Sequence, residues 1–381
     1  MPQPYVLLAI NTSWNVVNFR AGLVRGLLEA GYRVSVAAPP DRFTPALRAL
    51  GCGYFPVELQ GHGRSPAADL RYLSRMVALL RRERPDALLG FTVKPNTYGS
   101  LAAHALGIPV VNNIAGLGVV FNERGLTARI VNGLYRIALR RSRRVFFQNG
   151  DDRALFVREK LVSAGRTELL PGSGVDLARF PHRPLPAAPP TSFLLVARLL
   201  KEKGLAELAE ASAILRERGV PARVRVLGPH DPANPASVSA GDLARWTASG
   251  AIEHLGAADD VRPLLGQAHC VVLPSYYREG TPRALLEALA TGRPVITTDM
   301  PGCRDVVDDG VNGFLVPPRD ARALADAMAR VAALPPAELD AMGRASRETA
   351  ERRFDESLVV RAYLRALETA GLPGASRQPT S

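Results

Sequence analysis

The chain has 381 residues, 47% hydrophobic and 22% charged, a composition typical of a globular protein with room for two domains that each bury a core. Its three cysteines are odd in number and lack metal-ligand spacing, which excludes a disulfide framework and predicts reduced, packed thiols. The formal net charge is +12, no basic segment precedes the first apolar run, and Pro, Gly and Asn interrupt the longest uncharged stretch, so we expect neither a signal peptide nor a membrane span.

The first half of the chain alternates short apolar runs with helical patterns. The run Tyr5–Ile10 is followed by a polar loop, Asn11–Asn18, and by an amphipathic helix, Phe19–Ala30. Further runs of strand length are Tyr32–Ala38, Tyr54–Val57, Asp86–Phe91, Ile108–Asn112 and Val145–Gln148. This alternation predicts a doubly wound parallel sheet, in which ligands collect outside the carboxyl ends of the strands.

Three loops that follow these strands have polar or glycine-rich sequences. The first leads into a helix N-terminus, the second, Thr-Val-Lys-Pro-Asn, places a lysine directly after an apolar strand, and the third, Asn-Asn-Ile-Ala-Gly-Leu-Gly, would let a ligand approach the backbone closely. Each loop alone is a weak signal, since ordinary connecting loops are also polar. The residues that we predict to contact a ligand on these loops are Arg20, Lys94, Asn96, Asn113, Gly116 and Gly118.

A proline-rich linker divides the chain. Five prolines in ten residues at 181–190 predict a first domain at 1–180 and a second at 191–354. The strands predicted for the second domain are Ser192–Ala197, Arg223–Leu227, Ile252–Leu255, Cys270–Leu273, Arg293–Thr298 and Phe314–Val316. Helices at 319–353 and 355–370 finish the fold, and the composition of 371–381 predicts a disordered tail.

Two cations follow the first strand of the second domain. In the segment Arg-Leu-Leu-Lys-Glu-Lys-Gly, Arg198 and Lys203 are five residues apart and could clamp a diphosphate. The alternative is a helix with a basic first turn. That alternative is disfavoured, because cations oppose the helix dipole at this end unless an anion lies nearby.

The stretch Ser275–Glu287 joins a strand to a helix and is the most informative part of the sequence. Thr281 is placed to cap this helix, and Pro282, which has no N–H group, suits its first position. The helix is otherwise built mainly from alanine and leucine, so the Glu287 carboxylate needs a polar partner.

A helix N-terminus has free N–H groups and a partial positive charge. A phosphate could therefore lie over Gly280, Thr281 and Arg283, while the carboxylates of Glu279 and Glu287 accept hydrogen bonds from hydroxyl groups. This combination predicts a nucleotide sugar as the ligand. The alternative is a capped helix with one glutamate at its solvent edge.

The spacing Glu279-x7-Glu287, with Gly-Thr-Pro between, resembles the paired-glutamate motif of the retaining glycosyltransferases of family four. Val-Lys-Pro-Asn and Asn-Asn-x-x-Gly-Leu-Gly are similar to segments of a subgroup that builds capsule, O-antigen and protein-linked glycans on polyprenyl diphosphate. The resemblance covers about the whole chain and implies an α/β GT-B fold, two doubly wound Rossmann-like domains facing a cleft, with helix 355–370 packed back on the first. One departure is a histidine that many relatives have just after Asn112 and that this chain lacks.

The resemblance also implies an activity: transfer of a hexose or N-acetylhexosamine from a UDP-sugar to a polyprenyl-diphosphate-linked saccharide, with retention. It implies no metal and no other cofactor. The catalytic residues would be Arg198, Lys203 and Glu279. The donor-binding residues would be Glu287, Gly280, Thr281 and Arg283, and the acceptor-binding residues would be the six on the loops of the first domain.

The net charge is distributed unevenly. Residues 1–185 contain 25 Lys and Arg against 12 Asp and Glu, a net charge of +13, whereas residues 186–381 contain 23 against 24. Clusters of this kind are usually solvated helix faces, but an excess over a whole domain suits an anionic partner. We therefore predict a cytoplasmic enzyme held peripherally, through its basic first domain, on the inner face of the plasma membrane. The basic clusters contain Arg71, Arg75, Arg81, Arg82 and Arg84, and Arg136, Arg140, Arg141, Arg143 and Arg144.

Two other functions fit parts of the sequence. A GT-B nucleotide-sugar epimerase would need acid and base groups in the cleft, and the histidines are not arranged in such a constellation. A nucleic-acid-binding protein, a different class, would suit the sequence pI near 10.1. It is disfavoured, because the chain has no helix-turn-helix, RNA-recognition or zinc motif and its basic excess stops at the domain boundary.

Overall fold

The structure is a computed structural model that describes residues 3–59, 65–116, 126–187 and 189–372, with the backbone alone for 126–129. Unit 1 consists of Met1–Gly174 with Glu356–Ser381, and unit 2 consists of Val175–Asp355. Unit 2 begins earlier than the predicted boundary after residue 180, because Val175 and Phe180 are buried in its core. The predicted disordered tail lies almost wholly outside the described residues.

Unit 1 alternates strands and helices, as the apolar pattern predicts. Its strands are β1 (Tyr5–Ala9), β2 (Arg33–Ala38), β3 (Gly53–Pro56), β4 (Ala87–Phe91), β5 (Val110–Ile114), β6 (Arg144–Phe147) and β7 (Thr167–Leu169). Its helices are α1 (Ser13–Phe19), α2 (Ala21–Glu29), α3 (Thr44–Ala49), α4 (Pro66–Glu83), α5 (Ser100–Ala105), α6 (Leu126–Leu139), α7 (Gly150–Arg158) and the helix Glu356–Thr369, which we label α14 by chain order. A π-helical turn, Pro95–Gly99, precedes α5.

The described strands of unit 1 form one parallel sheet in the order β3-β2-β1-β4-β5-β6-β7. Two elements differ from the sequence prediction. The loop Asn11–Asn18 contains α1, which Thr12 caps by accepting a hydrogen bond from the N–H of Asn15, 3.1 Å away. The edge strand β7 was not predicted, because its sequence Thr-Glu-Leu has no apolar run.

Helices cover both faces of this sheet. Val6 and Leu8 of β1 pack with α2 and α14, whereas Leu7 and Ala9 pack with α4 and α5, since successive side chains of a strand point to opposite faces. Helix α14 lies against α2. Glycine makes this approach possible, because a Cβ on Gly26 would collide with Val360.

Unit 2 repeats this architecture. Its strands are β8 (Thr191–Val196), β9 (Ala222–Leu227), β10 (Glu253–His254), β11 (Cys270–Leu273), β12 (Val295–Thr298) and β13 (Gly313–Val316). Its helices are α8 (Leu205–Glu217), α9 (Ala240–Ala248), α10 (Arg262–Gly266), α11 (Arg283–Ala290), α12 (Ala321–Ala333) and α13 (Pro336–Thr349). The described strands form a parallel sheet in the order β10-β9-β8-β11-β12-β13. The architecture of two Rossmann-like units is therefore confirmed.

The long helix predicted at 319–353 is divided in two. Pro335 and Pro336 end α12 and begin α13, because proline has no N–H group for a helix interior but suits a first turn. The cysteines, in contrast, are as predicted. Cys52, Cys270 and Cys303 are buried free thiols, and burial raises the pKa of Cys52 to about 11.

Candidate active site

The strand order of unit 2 reverses between β8 and β11. In a doubly wound sheet the loops that leave the carboxyl ends of two such strands diverge and open a crevice for ligands. The loop after β8 contains Arg198 and Lys203, and the loop after β11 contains Glu279. The fold thus brings together two segments that the sequence singled out separately.

Lys203 and Glu279 form an ion pair across this crevice. Their Nζ and Oε1 atoms are 2.6 Å apart, and the two side chains are only 13% and 14% exposed. The hydroxyl of Ser275 also donates to Oε1 of Glu279, over 2.7 Å. The Glu279 carboxylate is therefore fixed in orientation, and its charge is balanced by Lys203. Both properties suit a group that accepts a hydrogen bond from one particular hydroxyl of a ligand.

Hydrogen bonds and a glycine join the two loops. The N–H of Tyr276 donates to the Glu202 carbonyl over 3.0 Å, and the Ser275 hydroxyl donates to the same oxygen over 3.2 Å. Gly204 has a φ of 77°, and a Cβ there would collide with the Pro274 carbonyl oxygen. The segment that holds Lys203 is consequently rigid relative to the loop that holds Glu279.

Glu287 has the polar partner that its position requires. Its Oε1 atom lies 2.8 Å from Nε of Arg283, one helical turn earlier, and the two side chains are 13% and 12% exposed. Burial raises the pKa of the Glu287 carboxyl above its ordinary value, and the Arg283 charge offsets part of this effect. A buried carboxylate beside a guanidinium is suited to accept hydrogen bonds from a bound diol.

The start of α11 differs by one residue from the prediction. Pro282 is the N-cap and Arg283 the first helical residue, so Thr281 does not cap the helix. The reason is that Pro282 has an extended backbone, with ψ of 122°, and its ring cannot supply a side-chain cap. Gly280 and Thr281 are buried directly before α11, at a helix N-terminus, which is a position where backbone N–H groups can bind an anion.

A glycine outside the predicted site supports the loop before α11. Gly302, on the loop after β12, has a φ of 84°, and a Cβ there would lie 2.7 Å from the Glu279 carbonyl oxygen and collide with that of Gly280. From the sequence we expect this glycine in a turn that is scaffold around the donor pocket, with no contact of its own predicted. Its signal is the Pro-Gly dipeptide that follows a strand, which is typical of a turn with a left-handed residue.

Arg198 differs from the other cations of the site. Its side chain is exposed, and within the described residues its guanidinium makes no hydrogen bond or ion pair. It follows β8 directly, so it lies at the carboxyl edge of the sheet. Arg198 is therefore an exposed cation at the edge of the sheet where ligands bind, and no side-chain partner among the described residues holds it in place.

Unit 1 has its own switch point, between β1 and β4. Lys94 follows β4 as predicted, but it is not a lone lysine: its Nζ lies 2.9 Å from Oδ1 of Asp69 on α4. Tyr98 donates to the other oxygen of Asp69 over 3.0 Å. Thr92 has a φ of 65°, a conformation that a β-branched residue avoids and that is found at functional sites. No pattern in the sequence signals that strain.

The other polar residues predicted for unit 1 lie inside it. Arg20 is 5% exposed, and its guanidinium carbon is 5.0 Å from the centre of the Phe91 ring. Asn96 and Asn113 are buried and hydrogen-bonded at both ends of their amides. Asn96 donates to the Asn113 carbonyl over 2.8 Å and accepts from Asn112 over 2.9 Å.

Asn113 links the sheet to the C-terminal helix. Its amide nitrogen donates to the hydroxyl of Tyr363 over 3.0 Å, and its oxygen accepts from Gln148 over 3.3 Å. These internal bonds occupy both polar atoms of the Asn113 side chain. Gly116 has a φ of 108°, and Gly118 lies outside the described residues.

Four of the described histidines make structural hydrogen bonds. Ring nitrogens of His104, His230 and His254 lie 2.9, 2.9 and 3.0 Å from backbone carbonyl oxygens. His269 accepts a hydrogen bond from the N–H of Ser192 over 3.0 Å. Each therefore has a local partner of its own, and this arrangement gives no support to the epimerase alternative.

Solved structures share this fold. HepE of Anabaena, solved in complex with UDP and glucose, matches with a TM-score of 0.78 at 17% sequence identity, over 96% of this chain and 100% of that one. Together with the two Rossmann-like units, this match identifies the GT-B fold.

Two family models match the chain: "Glycosyl transferase 4-like domain" at residues 16–173 and "Glycosyl transferases group 1" at residues 190–333. The chain belongs to this glycosyltransferase family, as the paired glutamates indicated, and it is an enzyme. The basic nucleic-acid-binding alternative is thereby set aside. Searched over the described residues, no helix is both long enough and apolar enough to cross a membrane.

Two relatives act on named substrates. The N,N'-diacetylbacillosaminyl-diphospho-undecaprenol α-1,3-N-acetylgalactosaminyltransferase of Campylobacter jejuni is 25% identical over 368 residues, 92% of this chain and 95% of the relative. The UDP-Gal:α-D-GlcNAc-diphosphoundecaprenol α-1,3-galactosyltransferase of Escherichia coli is 26% identical over 284 residues, 69% of this chain and 70% of the relative.

Proposed function

We propose that this glycosyltransferase moves a hexose or N-acetylhexosamine from a UDP-sugar to a polyprenyl-diphosphate-linked saccharide during assembly of a bacterial surface polysaccharide or glycan. The observation that carries the proposal is the presence of two buried carboxylate–cation pairs, Lys203–Glu279 and Arg283–Glu287, before and within the first turns of α11. The two relatives whose names include diphospho-undecaprenol support the acceptor class, and HepE, which binds UDP and glucose, supports the donor class.

The donor binds unit 2 in this proposal. Glu287 accepts hydrogen bonds from the ribose hydroxyls, and Glu279 accepts them from the sugar. The diphosphate lies at the N-terminus of α11, over the backbone of Gly280 and Thr281 and beside the Arg283 guanidinium. Because Lys203 has three donors, it can keep its contact with Glu279 while it binds a phosphate oxygen.

Transfer proceeds with retention. The bond from the anomeric carbon to the β-phosphate oxygen breaks, a hydroxyl oxygen of the acceptor bonds to the same face of that carbon, and its proton passes to the leaving diphosphate. Negative charge grows on the diphosphate in the transition state. Arg198, Lys203 and the N–H groups before α11 stabilise this charge as fixed donors, so the reaction needs no metal ion.

The acceptor binds unit 1. Lys94 and the backbone near Gly116 and Gly118 contact its diphosphate or sugar. Three other predicted residues have an indirect role in acceptor binding. The side chains of Asn96, Asn113 and Arg20 are packed within the unit, where they position the loops that follow β4 and β5. The enzyme is cytoplasmic and associates peripherally with the inner face of the plasma membrane, to which the +13 charge of residues 1–185 attracts it.

A screen of UDP-sugars against polyprenyl-diphosphate saccharides tests the proposal. We expect one donor class to give a product whose new linkage has the anomeric configuration of the donor by NMR. An inverted product would overturn the retaining mechanism. Failure of every UDP-sugar, together with turnover of another nucleotide sugar, would overturn the donor class.

A further inference from the structure

Helix α6 of unit 1 exposes two apolar residues on one face. Ile130 is 55% exposed and Ile137 is 62% exposed, and two positions seven residues apart lie on the same side of a helix. The opposite side is in the core, where Tyr135 and Leu139 are buried. A single exposed isoleucine is ordinary, but two aligned on one helix indicate a surface that is covered in use.

Unpaired cations follow these isoleucines. Arg140, Arg141 and Arg143 are exposed, and within the part of the chain that the structure describes their guanidinium groups make no hydrogen bond or ion pair. The other two arginines of this cluster have structural contacts. Arg136 donates to the Glu159 carbonyl over 3.1 Å, and Arg144 lies 3.6 Å from Glu168.

The position of these three arginines excludes a direct role at the active site. They lie between α6 and the first residue of β6, at the amino edge of the sheet, whereas ligand loops leave the carboxyl edge. Helix α6 has 14 residues, so it separates the two edges by about 21 Å at 1.5 Å per residue. An arginine side chain cannot span that distance to an acceptor diphosphate.

Helix α4 lies on the same side of the sheet as α6. Helices α4 and α6 both contact the π-helical turn and α5, so they lie on one side of the sheet. Leu70, near the start of α4, is 65% exposed, and the exposed side chains of Arg71 and Arg81 have no ion pair among the described residues. Both helices thus expose aliphatic side chains together with free cations.

We infer that this side of unit 1, the α4–α6 face, is the surface that lies on the membrane, with Ile130, Ile137 and Leu70 inserted among lipid head groups. The free arginines bind anionic head groups. This inference rests on the proposed function, because it names the surface by which the enzyme reaches a lipid-linked acceptor. A membrane fits better than a protein partner, because the aliphatic residues are separate and flanked by cations. With α6 flat on the lipid, the carboxyl edge of the sheet is held at head-group level, where an acceptor diphosphate lies.

Vesicle flotation tests the apolar part of the surface. Wild-type enzyme should bind vesicles of phosphatidylcholine with phosphatidylglycerol, but not phosphatidylcholine alone, and should detach when salt shortens the Debye length below about 5 Å. The double variant Ile130→Ser/Ile137→Ser should bind the anionic vesicles about tenfold more weakly. The matched control Leu169→Ser/Val311→Ser changes two residues that are 46% and 57% exposed elsewhere and should bind like wild type. Equal loss in both double variants would overturn the inference.

The arginines are tested with two triple variants that lose the same net charge. Arg140→Gln/Arg141→Gln/Arg143→Gln should weaken vesicle binding about a hundredfold, from about fivefold for each cation. The control triple Arg322→Gln/Arg344→Gln/Arg352→Gln removes the same charge from exposed positions of unit 2 and should weaken it less than about threefold. If the two triples weaken binding equally, attraction depends on net charge and not on the α4–α6 face. Circular dichroism must show that each variant is folded.

Activity separates this inference from the proposed function. The isoleucine variant should keep wild-type turnover of a water-soluble, short-chain prenyl-diphosphate saccharide and lose turnover of the full-length acceptor in anionic vesicles.

The wild-type enzyme separates the two proposals. If it glycosylates the short-chain acceptor but does not bind anionic vesicles, the membrane surface is overturned and the proposed function stands. A wild type that binds the vesicles and glycosylates neither acceptor would overturn the function and leave the surface. If sedimentation shows a dimer that the isoleucine variant splits without losing vesicle binding, the face is a contact between copies instead.

Discussion

Lys203 and Glu279 lie 2.6 Å apart although they belong to loops that follow different strands, β8 and β11. Both side chains are less than one-sixth exposed, and each has a group of opposite charge in direct contact. The pair also explains why the Lys203 loop must pass so close to Pro274, at Gly204. The switch point of unit 2 is therefore an electrostatically prepared site before any ligand is bound.

Replacement of Glu287 tests donor binding. We expect Glu287→Gln to bind UDP about tenfold more weakly by calorimetry, because an amide accepts two ribose hydroxyls less well than a carboxylate does. The control is Glu351→Gln. Glu351 forms an ion pair with Arg347, which lies four residues earlier, the same spacing as between Arg283 and Glu287. Unchanged affinity in Glu287→Gln, or equal loss in the control, would contradict the role given to Glu287.

The same variant tests the effect of burial on stability. The pKa of Glu287 is raised above its ordinary value of 4.5, so the folded protein binds this proton more tightly than the unfolded chain. The stability that the protonated form contributes is complete below pH 4.5 and is lost as pH rises through the raised pKa. The free energy of unfolding of Glu287→Gln, relative to wild type, should therefore increase as pH rises above 4.5. Denaturant titrations at several pH values measure the difference, and a constant or falling difference would disprove it.

The cations of the site should act on the transition state. Arg198→Ala and Lys203→Ala should each lower kcat by about tenfold or more, with smaller changes in the donor KM, because leaving-group charge grows during transfer. Arg198→Ala is the cleaner test, since this side chain has no partner among the described residues to disturb. Lys201→Ala, in the same turn, is the control. Activity within about threefold of wild type, roughly 0.65 kcal/mol of barrier, would place either cation outside the mechanism.

Metal chelation tests the proposal of fixed cations. EDTA should leave turnover unchanged in steady-state assays, because arginine, lysine and backbone N–H groups hold the leaving diphosphate. Loss of turnover that Mg²⁺ restores would mean that a metal ion shares this work.

Gly302 tests the support of the loop before α11. Gly302→Ala and Gly310→Ala both place a side chain at a positive φ, of 84° and 76°, which costs about 1 kcal/mol in each. Only at Gly302 does the new Cβ meet the carbonyl oxygens of Glu279 and Gly280, so we expect a further loss of about 2 kcal/mol in unfolding free energy and weaker UDP binding. If the two variants are equally stable and bind UDP equally, the contact does not shape the site.

The sequence by itself determined the fold class, and it predicted which residues form the central site. Buried parallel strands are continuous apolar runs, and helix starts depend on a few neighbouring residues, so both are readable locally. Glu279, Arg283 and Glu287 lie within nine residues of one strand–helix junction, and together with the motifs elsewhere in the chain they predict a nucleotide-sugar site. The same local rules missed α1 and placed the start of α11 one residue early, because caps compete over one or two positions.

Only the tertiary structure decided which polar groups are partners. Asn113 bonds to Tyr363, 250 residues away, and Lys94 pairs with Asp69 from another crossover, so neither amide nor lysine is as free as its loop suggested. The sequence showed five arginines near residue 140 and two isoleucines before them. It did not show that the isoleucines are exposed, that three of the arginines have no side-chain partner among the described residues, or that these three lie at the amino edge of the sheet. Pairing and exposure depend on which strands and helices become neighbours, and burial fixes that choice across the whole chain at once.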